Sequence, residues 1–179
     1  MIKRILFLLF ILVFYTKPVR ALENEAGSSG KLIALANAKT DERAAKLKAY
    51  LESKNSPCAD FAVDFVDYAD KYGLDWKLGP AIAGIESSFC QVYPVEYNNP
   101  FGIAGGFYYF KSLPDSIEYL NKLIATVSYY QRFQETRNIS DLAVVYCELS
   151  QKWLVAVSKF MTEIENFSQS TSSNLTINL

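Results

Sequence analysis

Between Lys77 and Glu86 the chain carries no charge, and the run Ala81-Ile82-Ala83-Gly84-Ile85 at its centre is small and apolar. A segment of this kind has no polar face to offer water. It predicts a buried helix over residues 76–89, with Asp75 as its cap. The preceding segment is amphipathic. From Cys58 to Tyr72 the aromatics Phe61, Phe65, Tyr68 and Tyr72 fall at i, i+4, i+7 and i+11, and Asp60, Asp64, Asp67, Asp70 and Lys71 fill the other face. That is the helical period. Ser56-Pro57 supplies an N-cap and a first helical residue, and Gly73 a C-terminal stop. Together the segments predict a hairpin about Leu74. Cys58 and Cys90 lie equidistant from that turn, so a Cys58–Cys90 disulfide is expected, with Cys147 free. Cys90–Cys147 is the rival pairing.

Further helices are predicted over 41–54 (Ala44, Leu47 and Leu51 on one face), from the capping box Ser112-Leu113-Pro114-Asp115 through Tyr130, over 141–146, and through Trp153, Val157, Phe160, Met161 and Ile164. Residues 91–111 break the pattern. Pro94, Asn98, Asn99, Pro100, Gly102, Gly105 and Gly106 punctuate them, and Phe107-Tyr108-Tyr109-Phe110 reads as a short strand. The expected fold class is therefore mainly α, α+β at most, with a small irregular loop or hairpin lobe in one domain spanning 41–167.

The ends read differently. Lys3 and Arg4, the apolar run Ile5–Tyr15 and Val19-Arg20-Ala21 have the form of a secretory signal peptide over 1–21. The apolar run would rise only about 16 Å as a helix, short of a membrane span. A linker is expected over 22–40 and a disordered Ser/Thr/Asn-rich tail over 168–179. Export puts the protein in the periplasm, cell envelope or extracellular space, with no stable membrane span after cleavage. Residues 22–179 carry 14 basic and 19 acidic groups, net −5, which argues against a nucleic-acid partner.

The chain contains no histidine and three cysteines. This excludes Ser-His-Asp and Cys-His catalysis, His-containing metal sites and a four-thiolate zinc site. What remains is carboxylates, tyrosines, amides and thiols. Glu86 ends the charge-free helix, and a poorly solvated carboxyl there has its pKa raised and can act as an acid. A glutamate facing water on that helix is the plain alternative. The loop Tyr97-Asn98-Asn99-Pro100-Phe101-Gly102-Ile103 sets amides beside an aromatic ring, a combination that suits sugars but also makes ordinary turns.

These elements together resemble a known superfamily. Ala81–Phe89, with Glu86-Ser87-Ser88-Phe89, is similar to the "ESxFG" helix of lysozyme-like enzymes that cleave peptidoglycan glycan strands. These are the lytic transglycosylases, the goose-type lysozymes and the glucosaminidase domains named after mannosyl-glycoprotein endo-β-N-acetylglucosaminidase. Asn98-Asn99-Pro100-Phe101-Gly102-Ile103 resembles the "NNxFGI" motif of the last group. Phe110-Lys111-Ser112 resembles its following step, and Ala143-Val144-Val145-Tyr146 its late tyrosine motif. The resemblance spans about residues 45–166. It implies a lysozyme-like helical domain that cleaves the β-1,4 glycan backbone, with Glu86 as catalytic acid and Tyr146 beside it. Ser87, Asn98, Asn99, Phe101, Gly102 and Tyr108 are the implied substrate-binding residues. Peptidoglycan is the implied partner of a monomer needing no cofactor and no metal. Cys90 stands where the family has glycine, and Glu96 is the only carboxylate between residues 87 and 114. Without a clear second acid, a substrate-assisted or transglycosylase-like route is favoured over a two-carboxylate one. The same features also fit a binding module without turnover, or a structural envelope protein.

Overall fold

The computed structural model describes residues 41–147 and 150–168; the expected signal peptide, the linker 22–40 and nearly all of the tail lie outside them. Helix α1 (Glu42–Ser53) is followed by a 3-10 turn (Pro57–Phe61) and α2 (Ala62–Tyr72). Then come α3 (Leu78–Ser87), two 3-10 turns at Val95–Tyr97 and Ile103–Gly106, α4 (Leu113–Thr126), a 3-10 turn (Ser128–Tyr130), α5 (Gln131–Thr136), α6 (Ile139–Tyr146) and α7 (Gln151–Asn166). The fold is mainly α, and no strand occurs among the described residues.

Helix α3 is the central rod. Leu78, Ala81, Ile82 and Ala83 are almost completely buried, together with Gly79, Pro80 and Gly84. The charge-free sequence thus becomes a helix covered by α2, α4 and α7. Two glycines let the neighbours approach. A Cβ on Gly79 would lie 3.1 Å from Phe65 of α2, and one on Gly84 would lie 2.7 Å from Phe89 and 2.8 Å from Phe160 of α7. The rings of Phe89 and Phe160 meet edge-on over that gap, with centroids 4.8 Å apart.

The hairpin forms as its signals predict. The Ser56 hydroxyl accepts from the Cys58 N–H, Pro57 opens the 3-10 turn, and Gly73 closes α2 in the left-handed region at φ 64°. Asp75 accepts from the Lys77 N–H, so it caps the turn that leads into α3. The Ser112 hydroxyl accepts from the Asp115 N–H and starts α4.

Three sequence expectations are corrected. The helix expected over 76–89 spans Leu78–Ser87, because Ser88 and Phe89 are left-handed and end it early. The helix expected through Tyr130 ends at Thr126, because Val127 is extended (φ −84°, ψ 133°); the 3-10 turn and α5 then run on in a new direction. The aromatic run 107–110 is not a strand. Left-handed Ala104, Gly105 and Gly106 lead into Phe107 at φ −93° and ψ 0°, outside the β region, so the run does not start as a strand. The loop is closed instead by Phe110 N–H to the Tyr97 carbonyl at 2.9 Å and by the Asn98 amide to the Phe110 carbonyl at 3.0 Å.

Cys58 and Cys90 are joined, their Cα atoms 5.9 Å apart, and Cys147 is free. The bridge spans 32 residues and ties the start of the hairpin to the end of α3. Loop-closure entropy gives such a cross-link about 3–4 kcal/mol. A Cys58→Ser/Cys90→Ser protein is expected to lose that much in urea unfolding, whereas Cys147→Ser, which breaks no cross-link and keeps a donor for the Ala143 carbonyl, should lose less.

Candidate active site

Glu86 lies in the last turn of α3. Directly after it, Ser88, Phe89 and Cys90 take φ 51°, 58° and 63°, three consecutive left-handed residues that turn the chain sharply away from the helix axis. Such a turn is unfavourable for side chains with a Cβ. It is held by the disulfide at Cys90, by the Ser56 hydroxyl donating to the Phe89 carbonyl at 2.8 Å, and by the Ser87 hydroxyl. Ser87 is 2 % exposed; its hydroxyl donates to the Ala83 carbonyl and accepts from the Cys90 N–H. The expected substrate contact Ser87 is therefore a buried fastening of the turn.

Glu86 is exposed as a residue, and so is Gly102; one face of the Glu86 carboxyl group is covered by the first turn of α7, and the other meets the Gly102 backbone. The Trp153 indole N–H donates to Glu86 Oε1 at 2.8 Å. Oε2 points the other way, 3.0 Å from where a Cβ on Gly102 would sit. Desolvation pushes the Glu86 pKa above its ordinary value, and the Trp153 hydrogen bond offsets part of the shift. The helix C-terminus, with its partial negative charge, acts in the same direction as the burial. Among the described residues no ion pair involves Glu86 and Trp153 is its sole hydrogen-bond partner.

Tyr146, the last residue of α6, donates its hydroxyl to the Phe101 carbonyl at 2.7 Å rather than to Glu86. Its ring lies against that of Trp153, centroids 5.3 Å apart and planes 30° apart. It thus reaches the carboxyl by two indirect routes, the loop before Gly102 and the indole. Burial, with the Glu86 charge nearby, keeps the Tyr146 hydroxyl and the Cys147 thiol above their ordinary pKa values, so both stay neutral.

The loop residues divide by burial. Asn99 is 2 % exposed, and its amide closes on Ile103, donating to the carbonyl at 2.8 Å and accepting from the N–H at 3.1 Å. Asn98 is itself left-handed and holds Phe110. Phe101 is fully buried, edge-on to Phe65. Asn99 and Phe101 thus build the loop from within, because the Asn99 amide and the Phe101 ring are already used by the chain; half-buried Asn98 uses only its Nδ2 in this way. Gly102 reaches the acid with its backbone. Tyr108 remains partly exposed, stacked on Tyr119 of α4 with centroids 5.1 Å apart. Phe107 and Tyr109, 75 % and 62 % exposed, are open to solvent on the same lobe. Among the described residues no group of acids and cysteines has the placement of a metal site, and no helix is long and apolar enough to cross a membrane.

Trp153 is the site residue that sequence reasoning did not assign. Its spacing with Val157 and Phe160 marks it as core, and 5 % exposure agrees. The one local hint is chemical: a buried indole N–H needs an acceptor. No protein-family profile, no curated protein and no solved structure matches this chain.

Gly102 is open to a direct check. Gly102→Ala incurs the left-handed penalty of about 1–2 kcal/mol and also presses a methyl on Oε2. Gly106 (φ 87°) meets nothing within 4 Å, so Gly106→Ala incurs the conformational penalty alone. Gly102→Ala is expected to be the less stable variant in urea unfolding, with the gap closing in a Glu86→Ala background. Equal losses would show that Gly102 does not abut the carboxyl.

Proposed function

We propose that the protein cleaves the β-1,4 glycan backbone of peptidoglycan, with Glu86 as the general acid, outside the cytoplasm. The observation that carries this reading is the Glu86 carboxyl itself. It is partly desolvated in an otherwise exposed residue, free of any cationic partner among the described residues, fixed at one oxygen by Trp153 and open at the other beside Gly102. The similarity of residues 86–89 and 98–103 to the glycan-cleaving superfamily supports the substrate class.

A protonated Glu86 gives its proton to the glycosidic oxygen as the C1–O4 bond breaks, and the bonding electrons leave with that oxygen. The positive charge left at C1 is captured by a nucleophile from the substrate, either the 2-acetamido carbonyl or the 6-hydroxyl. In the first case water opens the resulting oxazolinium at C1, restoring the acetamide, and gives its proton to the Glu86 carboxylate. In the second case the hydroxyl forms the new C1–O6 bond and returns its proton to the Glu86 carboxylate. That route needs one enzyme carboxyl, in keeping with the single carboxyl at the site among the described residues. Tyr146 supports the acid by holding Phe101 and the indole. Exposed Tyr108, Phe107 and Tyr109 offer ring faces to a sugar strand.

The test is glycan-strand cleavage followed by mass spectrometry of the released muropeptides. Glu86→Gln should remain folded by circular dichroism, bind the wall, and lose activity by about 10²–10⁴-fold or more. Tyr146→Phe should lose less. Turnover in a folded Glu86→Gln protein close to that of the parent would refute the reading, and wall pelleting without cleavage by the parent would instead favour a binding module.

Wild-type activity should fall as pH rises through the raised pKa of Glu86. Stability follows the same group. The native state favours the neutral carboxyl, so the contribution is fully present below the ordinary value of 4.5 and is lost as pH climbs through the raised native value. Glu86→Gln has no such charge, so its stability relative to the parent should rise across that window. A constant stability difference from pH 4 to 8 would show that Glu86 ionisation is not coupled to folding.

A further inference from the structure

A neutral carboxyl group has one carbonyl oxygen and one hydroxyl oxygen, and the carbonyl is the better acceptor. The indole N–H of Trp153 is a donor only, and it points at Oε1. Other donors near Glu86 are committed elsewhere: Tyr146 to the Phe101 carbonyl, Ser87 to the Ala83 carbonyl and the Cys147 thiol to the Ala143 carbonyl. Trp153 is itself held firmly. It sits in the first turn of α7, its own N–H bonded to the capping Ser150 hydroxyl, its ring against Tyr146.

We infer that Trp153 is a positioning residue: its N–H marks Oε1 as the carbonyl oxygen, so the acidic proton resides on Oε2 and is delivered from the Gly102 side. The direction of approach of the scissile oxygen is thereby set, across the bare Gly102 backbone, where any side chain would cover Oε2. This inference rests on the reading of Glu86 as the acid, but its geometry is measurable without substrate.

The titratable groups facing Glu86 are Tyr146 and Cys147 from the end of α6; α3 adds no charge between Lys77 and Glu86, and the facing part of the loop is Gly102. Both α6 groups stay neutral through the acid range, so a titration there belongs to Glu86. The chain has two tryptophans, Trp76 and Trp153. In a Trp76→Phe protein the emission reports Trp153 alone. It should shift with pH at a midpoint above 4.5, because the indole passes from a neutral to an ionised acceptor, and the shift should be absent from Trp76→Phe/Glu86→Gln. Trp153 emission that titrates identically with and without Glu86, or not at all, overturns the inference whatever the activity is.

Carbon-13 NMR of the Glu86 carboxyl gives the second reading. Trp153→Phe keeps an aromatic ring against Tyr146 but removes the donor, which stabilises the ionised form. The Glu86 midpoint should therefore rise further, and an unchanged or lower midpoint counts against the inference. With glycan strands, Trp153→Phe should lower kcat more than it changes KM and move the falling limb of the pH profile upward. Loss of the spectroscopic coupling with full dependence of cleavage on Glu86 would sink the positioning role alone. Intact coupling with cleavage independent of Glu86 would sink the functional reading instead.

Discussion

The left-handed turn Ser88-Phe89-Cys90 governs the rest of the molecule. Without it α3 would continue, and the Glu86 side chain would sit mid-helix with Phe89 one turn to its side. The turn instead ends the helix just beyond the acid and reverses the chain, so Phe89 folds back over Gly84 and Cys90 reaches Cys58. None of the three residues is glycine, so the conformation is unfavourable locally. Its persistence depends on interactions from elsewhere: one covalent bond, two serine hydroxyls, and the edge-on contact of Phe89 with Tyr50 and Phe160. The disulfide thus acts less on the hairpin, which its own periodicity specifies, than on the segment that shapes the acid's surroundings.

A second constraint follows from the first. With α3 buried from Leu78 to Gly84, and exposed only near its end at Ile85 and Glu86, the helices around it can approach only where its side chains are small. Gly84 admits the Phe89 and Phe160 rings, and this brings α7 alongside α3. The same contact sets Trp153, two turns before Phe160 on α7, beside Glu86. The indole reaches the carboxyl because α3 and α7 pack closely at Gly84, within the same turn as Glu86, a case of packing density deciding the geometry of a polar contact. A bulkier core helix would hold the two apart.

Much of this was legible in the chain. The charge-free run of α3, the aromatic stripe of α2 and the cap signals at Ser56, Gly73 and Ser112 all act locally, through burial and backbone hydrogen bonding, and the hairpin they define paired Cys58 with Cys90. What the sequence concealed is of another kind. The break at Val127 lies inside an apolar pattern that continues through Tyr130, because both sides of the break still face the core. The left-handed Phe89 and Cys90 bear no glycine signal. The Asn98 and Asn99 amides look alike whether they serve a ligand or the loop, and only their partners decide. The Trp153–Glu86 bond joins residues 67 apart, and helical periodicity carries no information about a contact at that separation.

The choice of a tryptophan as partner has a chemical logic. A lysine or arginine at that position would orient the carboxyl equally well and would hold it ionised, which would disable the proton donor proposed for Glu86. Among the described residues no lysine or arginine pairs with Glu86: Lys77 is drawn to Asp75 and Glu165, Lys54 to Glu163 and Lys71 to Glu118, and exposed Lys152, next to Trp153, makes no ion pair with it. A neutral N–H fixes one oxygen while opposing the burial only in part, so the carboxyl stays oriented with its pKa still raised. Orientation and a raised pKa usually compete at a partly covered carboxyl, since each donor that orients it also favours its charge. Using one neutral donor, and leaving the second oxygen to a glycine, limits that conflict to a single hydrogen bond.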